Sequence, residues 1–183
     1  MFPTDTVYGI GGDACSPASI SAIYAAKRRS NLKAIPLLLA GDHLLGEVGE
    51  DISVEAAALA HRYWPGALTM VVRRRAILPS ELGGGETIAV RVPAHDELRT
   101  FLDACGGFIA ATSANLSGRP DALDAHAAAA YFGDSVALVV DGGAVDGGMP
   151  STVVDCTVMP PAILRAGAVP ATDIGDVVDA AHR

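Results

Sequence analysis

The chain is expected to fold as an α/β protein built on an open, twisted, mixed β-sheet with flanking helices. Three observations lead there. Apolar runs of strand length alternate with helix-length segments along the 183 residues. Half of the residues are hydrophobic but only 5% are aromatic, and alanine supplies much of the apolar content, which suits helices laid on a sheet. Candidate strands within 68–92 and within 151–165 follow one another without an intervening helix, which argues against a purely parallel sheet. No repeat, low-complexity tract or linker divides the sequence, so residues 1–183 read as a single domain.

The elements follow in order. The opening stretch, Pro3 to Gly12 (PTDTVYGIGG), holds hydroxyls, a carboxylate and three glycines. It reads as a loop where a polar ligand can approach the backbone closely. Ser16-Pro17 is an N-cap and first helical residue, opening a helix to about Arg28. Ile35 to Leu39 reads as a strand with proline near its start. A helix runs from about Ser53 to Tyr63 and is broken by Trp64-Pro65-Gly66. Leu68 to Val72 is a strand. After Gly83-Gly84-Gly85 comes Thr87 to Val92, whose alternation puts Thr87, Ala89 and Arg91 on one face and Ile88, Val90 and Val92 on the other. Asp96 is the expected cap of a short helix with Leu98, Phe101 and Leu102. Phe108 to Ala111 is a strand entering the loop Thr112 to Gly118. A helix from Asp124 to Phe132 ends at Gly133. Val136 to Val140 reads as a strand before a glycine-rich loop. Two further strands, 151–155 and 162–165, precede a helix expected to be capped by Thr172.

Composition narrows the function. A net charge of −8 leaves no overall basic footprint for a long polyanion. The basic blocks Lys27 to Lys33 and Arg73-Arg74-Arg75 suit a small anionic ligand better. Three widely spaced cysteines form no CxxC pair and imply reduced thiols in a cytosolic protein. The histidines lack metal-ligand spacing, no apolar run is long enough for a membrane span, and neither GxGxxG nor GxxxxGK[ST] is present.

Polar clusters follow the apolar runs at Thr4/Thr6, Lys27/Arg29, Thr87/Arg91, Ser113/Asn115, Ser151 and Arg165. Most have a plain explanation: Lys27 complements a helix dipole, Ser113 and Asn115 form turns, and Arg165 decorates a surface strand. Arg91 on an apolar strand does not, because an unpaired buried guanidinium is costly.

In order, the pieces PTDTVYGIGGDA (3–14), K-x-R (27–29), WPGALT (64–69), TIAVRVPAH (87–95), TSANLSG (112–118), PSTVVD (150–155) and LRAG (164–167) resemble the YrdC-like family of threonylcarbamoyl-AMP synthases. The resemblance covers nearly the whole chain. It implies conversion of L-threonine, bicarbonate and ATP to threonylcarbamoyl-adenylate and pyrophosphate, for a separate complex that modifies tRNA. It also implies a basic concave cavity on the open sheet. By resemblance, Lys27, Arg29, Ser113 and Asn115 form the catalytic set. ATP is expected on Lys27, Arg29, Thr87, Ser113, Asn115 and Arg165. Threonine is expected on Thr4, Arg91 and Ser151, with Arg91 forking its carboxylate. Mg2+ is expected through ATP phosphates, not on a protein metal site. The implied protein is cytoplasmic, with no membrane partner and weak or indirect tRNA contact.

Three departures stand out. Relatives carry a strand ahead of the opening loop where this chain has only Met1 and Phe2, so a shortened N-terminus with exposed apolar surface is expected. Ser30 and Ala34-Ile35-Pro36 differ from the usual pattern. Longer relatives add a C-terminal domain, and the sequence reads as the short, single-domain type. Two other functions compete: a carbamoyl-phosphate-using carbamoyltransferase domain and a non-catalytic RNA-binding module.

Overall fold

A computed structural model describes residues 1–28, 33–146 and 149–182. Its strands are β1 (Gly9–Gly12), β2 (Leu37–Leu39), β3 (Gly49–Glu50), β4 (Leu68–Arg74), β5 (Thr87–Arg91), β6 (Phe108–Ser113), β7 (Thr152–Asp155) and β8 (Ala162–Arg165). The helices are α1 (Pro17–Lys27), α2 (Leu45–Val48), α3 (Val54–Tyr63), α4 (Asp96–Ala104), α5 (Ala125–Phe132) and α6 (Ala171–Ala181). One open sheet runs β1-β6-β2-β5-β4-β7-β8, and β3 pairs with the arginine end of β4. The pairs β2/β5 and β4/β7 are parallel and the others antiparallel. The mixed sheet is the expected one.

Local chemistry explains several boundaries. Ser16 accepts the Ser19 amide and is followed by Pro17, Ser53 accepts the Ala56 amide, and Asp124 accepts the Ala127 amide. Other boundaries differ from expectation. Gly9 to Gly12 is a strand, not part of a loop, because its backbone pairs with β6 from Gly9↔Ser113 to Gly12↔Ala110. A Cβ on Gly9 would sit 2.8 Å from the Phe2 ring, so this strand needs a bare position there. Val136 to Val140 forms no strand. Among the described residues it exchanges two bonds with Met1, Val140 N–H to Met1 O at 2.9 Å and Met1 N to Leu138 O at 2.6 Å. The α4 cap is His95, whose Nδ1 accepts the Leu98 amide at 3.3 Å, so Asp96 is the first helical residue. Pro170 precedes α6, which places Thr172 inside the helix.

Met70, Val72, Ile88, Val90, Leu37 and Leu39 are buried together with Leu59 of α3 and Leu98 and Leu102 of α4. Each such side chain contributes roughly 1.5–3 kcal/mol of transfer free energy. A smaller cluster joins Tyr8, Ile10, Ala114, Ala122 and Phe132. Met1 and Phe2 are buried. They border a largely apolar cavity of about 550 Å³ beside β1, α4 and residues 136–140.

Glu55, in the first turn of α3, is buried, and its carboxylate lies 3.1 Å from His182 Nε2 at the end of α6. Hydrogen bonds from its own backbone and from Ser53 hold its pKa below the ordinary 4.5, with His182 adding and burial opposing. A depressed folded pKa stabilises above the unfolded value and is lost as pH falls through the folded one. Glu55→Gln is therefore expected to lower Tm at neutral pH. The gap to wild type should close as acidification proceeds below about pH 4, read by thermal melts across pH.

Candidate active site

A cleft of about 390 Å³ lies over the sheet where the opening segment, β5, β4, the end of β6, the segment before β7 and β8 converge. Thr4, Arg91, Ser113, Ser151 and Arg165 all line it, as do Thr6, Thr69 and Asp121. The larger apolar cavity contains none of the expected site residues.

Arg91 projects from β5 on the same side as Ala89, while Ile88 and Val90 enter the core. Its side chain is only 9% exposed, and its guanidinium is paired. Nη2 donates to Asp5 Oδ2 at 2.7 Å, Nη1 to Thr6 Oγ1 at 3.2 Å and Nε to the Gly66 carbonyl at 2.9 Å. Burial lowers the guanidinium pKa, Asp5 raises it again, and the neighbouring Arg165 lowers it further. Thr4 binds its own loop: Oγ1 accepts the Thr6 and Val7 amides at 3.1 and 3.2 Å and donates to Val7 O at 2.7 Å. This hydroxyl shapes the cleft wall through the loop turn.

Across the cleft, Ser151 Oγ lies 2.8 Å from Thr69 Oγ1. Arg165 Nη2 donates to Ser151 Oγ at 3.1 Å and to Ser151 O at 2.8 Å, so much of its fork orients Ser151. Gly167 follows closely behind. A Cβ there would overlap the Pro150 carbonyl and the Thr152 amide.

Lys27 does not line the cleft. It is 3% exposed, and its ammonium sits beneath the loop after β6, donating to Ser113 O, to Asn115 O at 2.8 Å and to Asn115 Oδ1 at 3.3 Å. Asn115 Nδ2 donates to Arg119 O at 2.5 Å, and Ser113 Oγ donates to Asn115 Oδ1 at 2.6 Å. With its proton directed at Asn115, Ser113 turns lone pairs toward the cleft and is set to accept an O–H or N–H from a ligand. Lys27, Ser113 and Asn115 therefore form one network. Arg29 lies outside the described residues. Thr87 is not brought into the cleft. It shares a face with Arg91 but stands four residues, roughly 13 Å, along the strand, and its hydroxyl donates to Gly84 O at 3.0 Å.

Sequence reasoning assigned no role to Asp5, Thr69 or Asp121. The first two lie inside quoted motifs, so only their three-dimensional partners were missing. Among the described residues no cluster of His, Cys, Asp and Glu could hold a metal ion, and no helix is long and apolar enough to cross a membrane.

Residues 1–167 match the family Sua5_yciO_yrdC, described as Telomere recombination. The chain belongs to this family. It is 38% identical over 178 residues to the threonylcarbamoyl-AMP synthase of Pyrococcus abyssi, covering 97% of this chain and 52% of that protein. It is 36% identical over 184 residues to a putative threonylcarbamoyl-AMP synthase of Mycobacterium tuberculosis, covering 99% of this chain and 84% of the relative. A crystal structure of P. abyssi Sua5 complexed with L-threonine superposes with a TM-score of 0.91 at 38% identity, over 96% of this chain and 52% of that one. Escherichia coli YciO, at 23% identity and a TM-score of 0.86 over 94% of this chain and 84% of its own, shares the fold. The chain spans about half the length of the P. abyssi and Bacillus subtilis members.

Two outcomes follow for the family cleft. Asp5→Ala removes one partner of a buried ion pair and is expected to cost about 3 kcal/mol in denaturant unfolding. Lys27→Met removes the cation beneath the 113–119 loop. Amide exchange there is expected to speed by about tenfold or more, the loss of a charge-assisted hydrogen bond, while exchange in α3 stays unchanged.

Proposed function

We propose that this cleft makes L-threonylcarbamoyladenylate from L-threonine, bicarbonate and ATP, with release of pyrophosphate. The observation that carries the reading is the convergence of Arg91, Ser113, Ser151 and Arg165, distant in sequence, on one cleft in a family fold. The naming of the P. abyssi and M. tuberculosis relatives supports it.

The threonine amine adds to bicarbonate, losing water, to give a carbamate. A carbamate oxygen then attacks the α-phosphorus of ATP, and the bond to the bridging oxygen breaks to release pyrophosphate. The nucleophile is already an anion, so no general base is required. The protein's task is alignment and charge stabilisation. Arg91 and Ser151 take the amino acid, beside the wall that Thr4 folds. Ser113, oriented by Asn115 and Lys27, and Arg165 border the nucleotide. Arg29 joins the ATP side by family resemblance, whereas Thr87, outside the cleft, takes no part. Among the described residues Asp121 is the one carboxylate lining the cleft, and a divalent ion enters with the ATP phosphates as part of the substrate. The product feeds a separate tRNA-modifying complex, and the protein acts in the cytoplasm.

Incubation with ATP, labelled bicarbonate and L-threonine is expected to yield pyrophosphate and a threonylcarbamoyl-adenylate mass, both dependent on threonine. Folded protein that releases neither would sink the proposal. Product formed from carbamoyl phosphate in place of threonine and bicarbonate would favour the carbamoyltransferase alternative.

A further inference from the structure

The cleft floor contains a residue to which no motif assigned a role. Thr69 lies on central strand β4, and the register Met70↔Val90 and Val71↔Ala89 carries it opposite Arg91. It lines the cleft with its hydroxyl 2.8 Å from Ser151 Oγ, and both side chains are buried. Arg165 donates to Ser151 from the far side. One row of polar groups thus crosses the floor in the order Arg91, Thr69, Ser151, Arg165, with a guanidinium at each end. The two guanidinium groups lie close enough for Arg165 to destabilise the charge on Arg91.

Counting protons defines what this row offers. Two hydroxyls carry two protons, and one lies in the Thr69–Ser151 bond whichever residue donates it. Arg165 fills a lone pair on Ser151. If Ser151 donates to Thr69, the Thr69 proton is left for a ligand. If Thr69 donates, both Ser151 lone pairs are filled and the Ser151 proton is left. In neither case does the remaining proton have an acceptor among the described residues. The row therefore presents one hydroxyl donor between two cations. Arg91 has two of its five N–H groups outside the bonds to Asp5, Thr6 and Gly66. A planar anion with two acceptor oxygens matches that set.

We propose that Thr69 completes the amino-acid subsite: the Thr69–Ser151 pair donates one hydrogen bond to the α-carboxylate of the amino-acid substrate, between Arg91 and Arg165, with Thr69 either making that bond or positioning the Ser151 hydroxyl that does. This rests on the synthase reading above. The test is calorimetric binding of L-threonine and of L-threoninamide, which lacks the carboxylate, to wild type, Thr69→Val and Thr69→Ser. Wild type is expected to prefer threonine. Thr69→Val is expected to weaken threonine by about tenfold and threoninamide by less than about threefold, the difference expected for a lost bond to a charged group. ATP affinity should stay within about threefold, and Thr69→Ser should bring threonine affinity back to within about threefold of wild type.

Equal losses for both ligands, or unchanged threonine affinity in Thr69→Val, would overturn the assignment. A selective loss of ATP affinity would overturn it too, since it would place the row under phosphate. Wild-type protein that ignores threonine would overturn the synthase reading and this one together. Should Thr69→Val fail to fold, Thr69→Ser decides: affinity within about threefold supports the hydroxyl, and a loss above about tenfold overturns it.

Discussion

Arg91 is buried in the middle of a sheet, and the cleft is arranged around that fact. Taking a guanidinium out of water costs several kcal/mol unless its donors are matched. Here the matching comes from three places: the Asp5 carboxylate and Thr6 hydroxyl of the opening segment and the Gly66 carbonyl after α3. Satisfying one side chain therefore brings two distant segments to one strand. The opening segment then continues into β1, whose pairing with β6 places Ser113 beside it. Without the cation, the loop at residues 4–6 would lose its main attachment to β5.

The two walls of the cleft handle charge differently. On one, Lys27 is enclosed by backbone and amide oxygens, so its charge organises the Ser113–Asn115 loop from behind. On the other, Arg165 is on an exposed edge strand and holds Ser151 from the side. Hydroxyls, not cations, make much of the inner surface. Such a surface loses little reorganisation energy when a charged ligand enters, because its dipoles are already held by the surrounding bonds.

Much of the fold was legible because its signals are local. Ser16, Ser53 and Asp124 cap helices through bonds that span three residues. The alternation of 87–92 correctly separated Arg91 from Ile88 and Val90 because side chains alternate along any strand. The misses share a cause as well. Gly9 to Gly12 has poor strand propensity, and a partner strand a hundred positions away makes it β1. Val136 to Val140 has the composition of a strand but, among the described residues, finds only Met1 to pair with. His95 and Pro170 bound their helices one or two residues ahead of the capping residues expected.

The sequence by itself determined the chemical inventory: a buried arginine that needed partners, hydroxyl-rich turns after apolar strands, a K-x-R and an S-x-N, and the motif order that marks the family. Tertiary structure decided the pairing. It joined Asp5 to Arg91, Thr69 to Ser151 and Lys27 to the 113–115 backbone, and it left Thr87 outside the cleft although periodicity put it on the same face as Arg91. The reason is one of range. Alternation and capping act within a few residues, whereas sheet order and strand register set which distant groups come within 3 Å of each other.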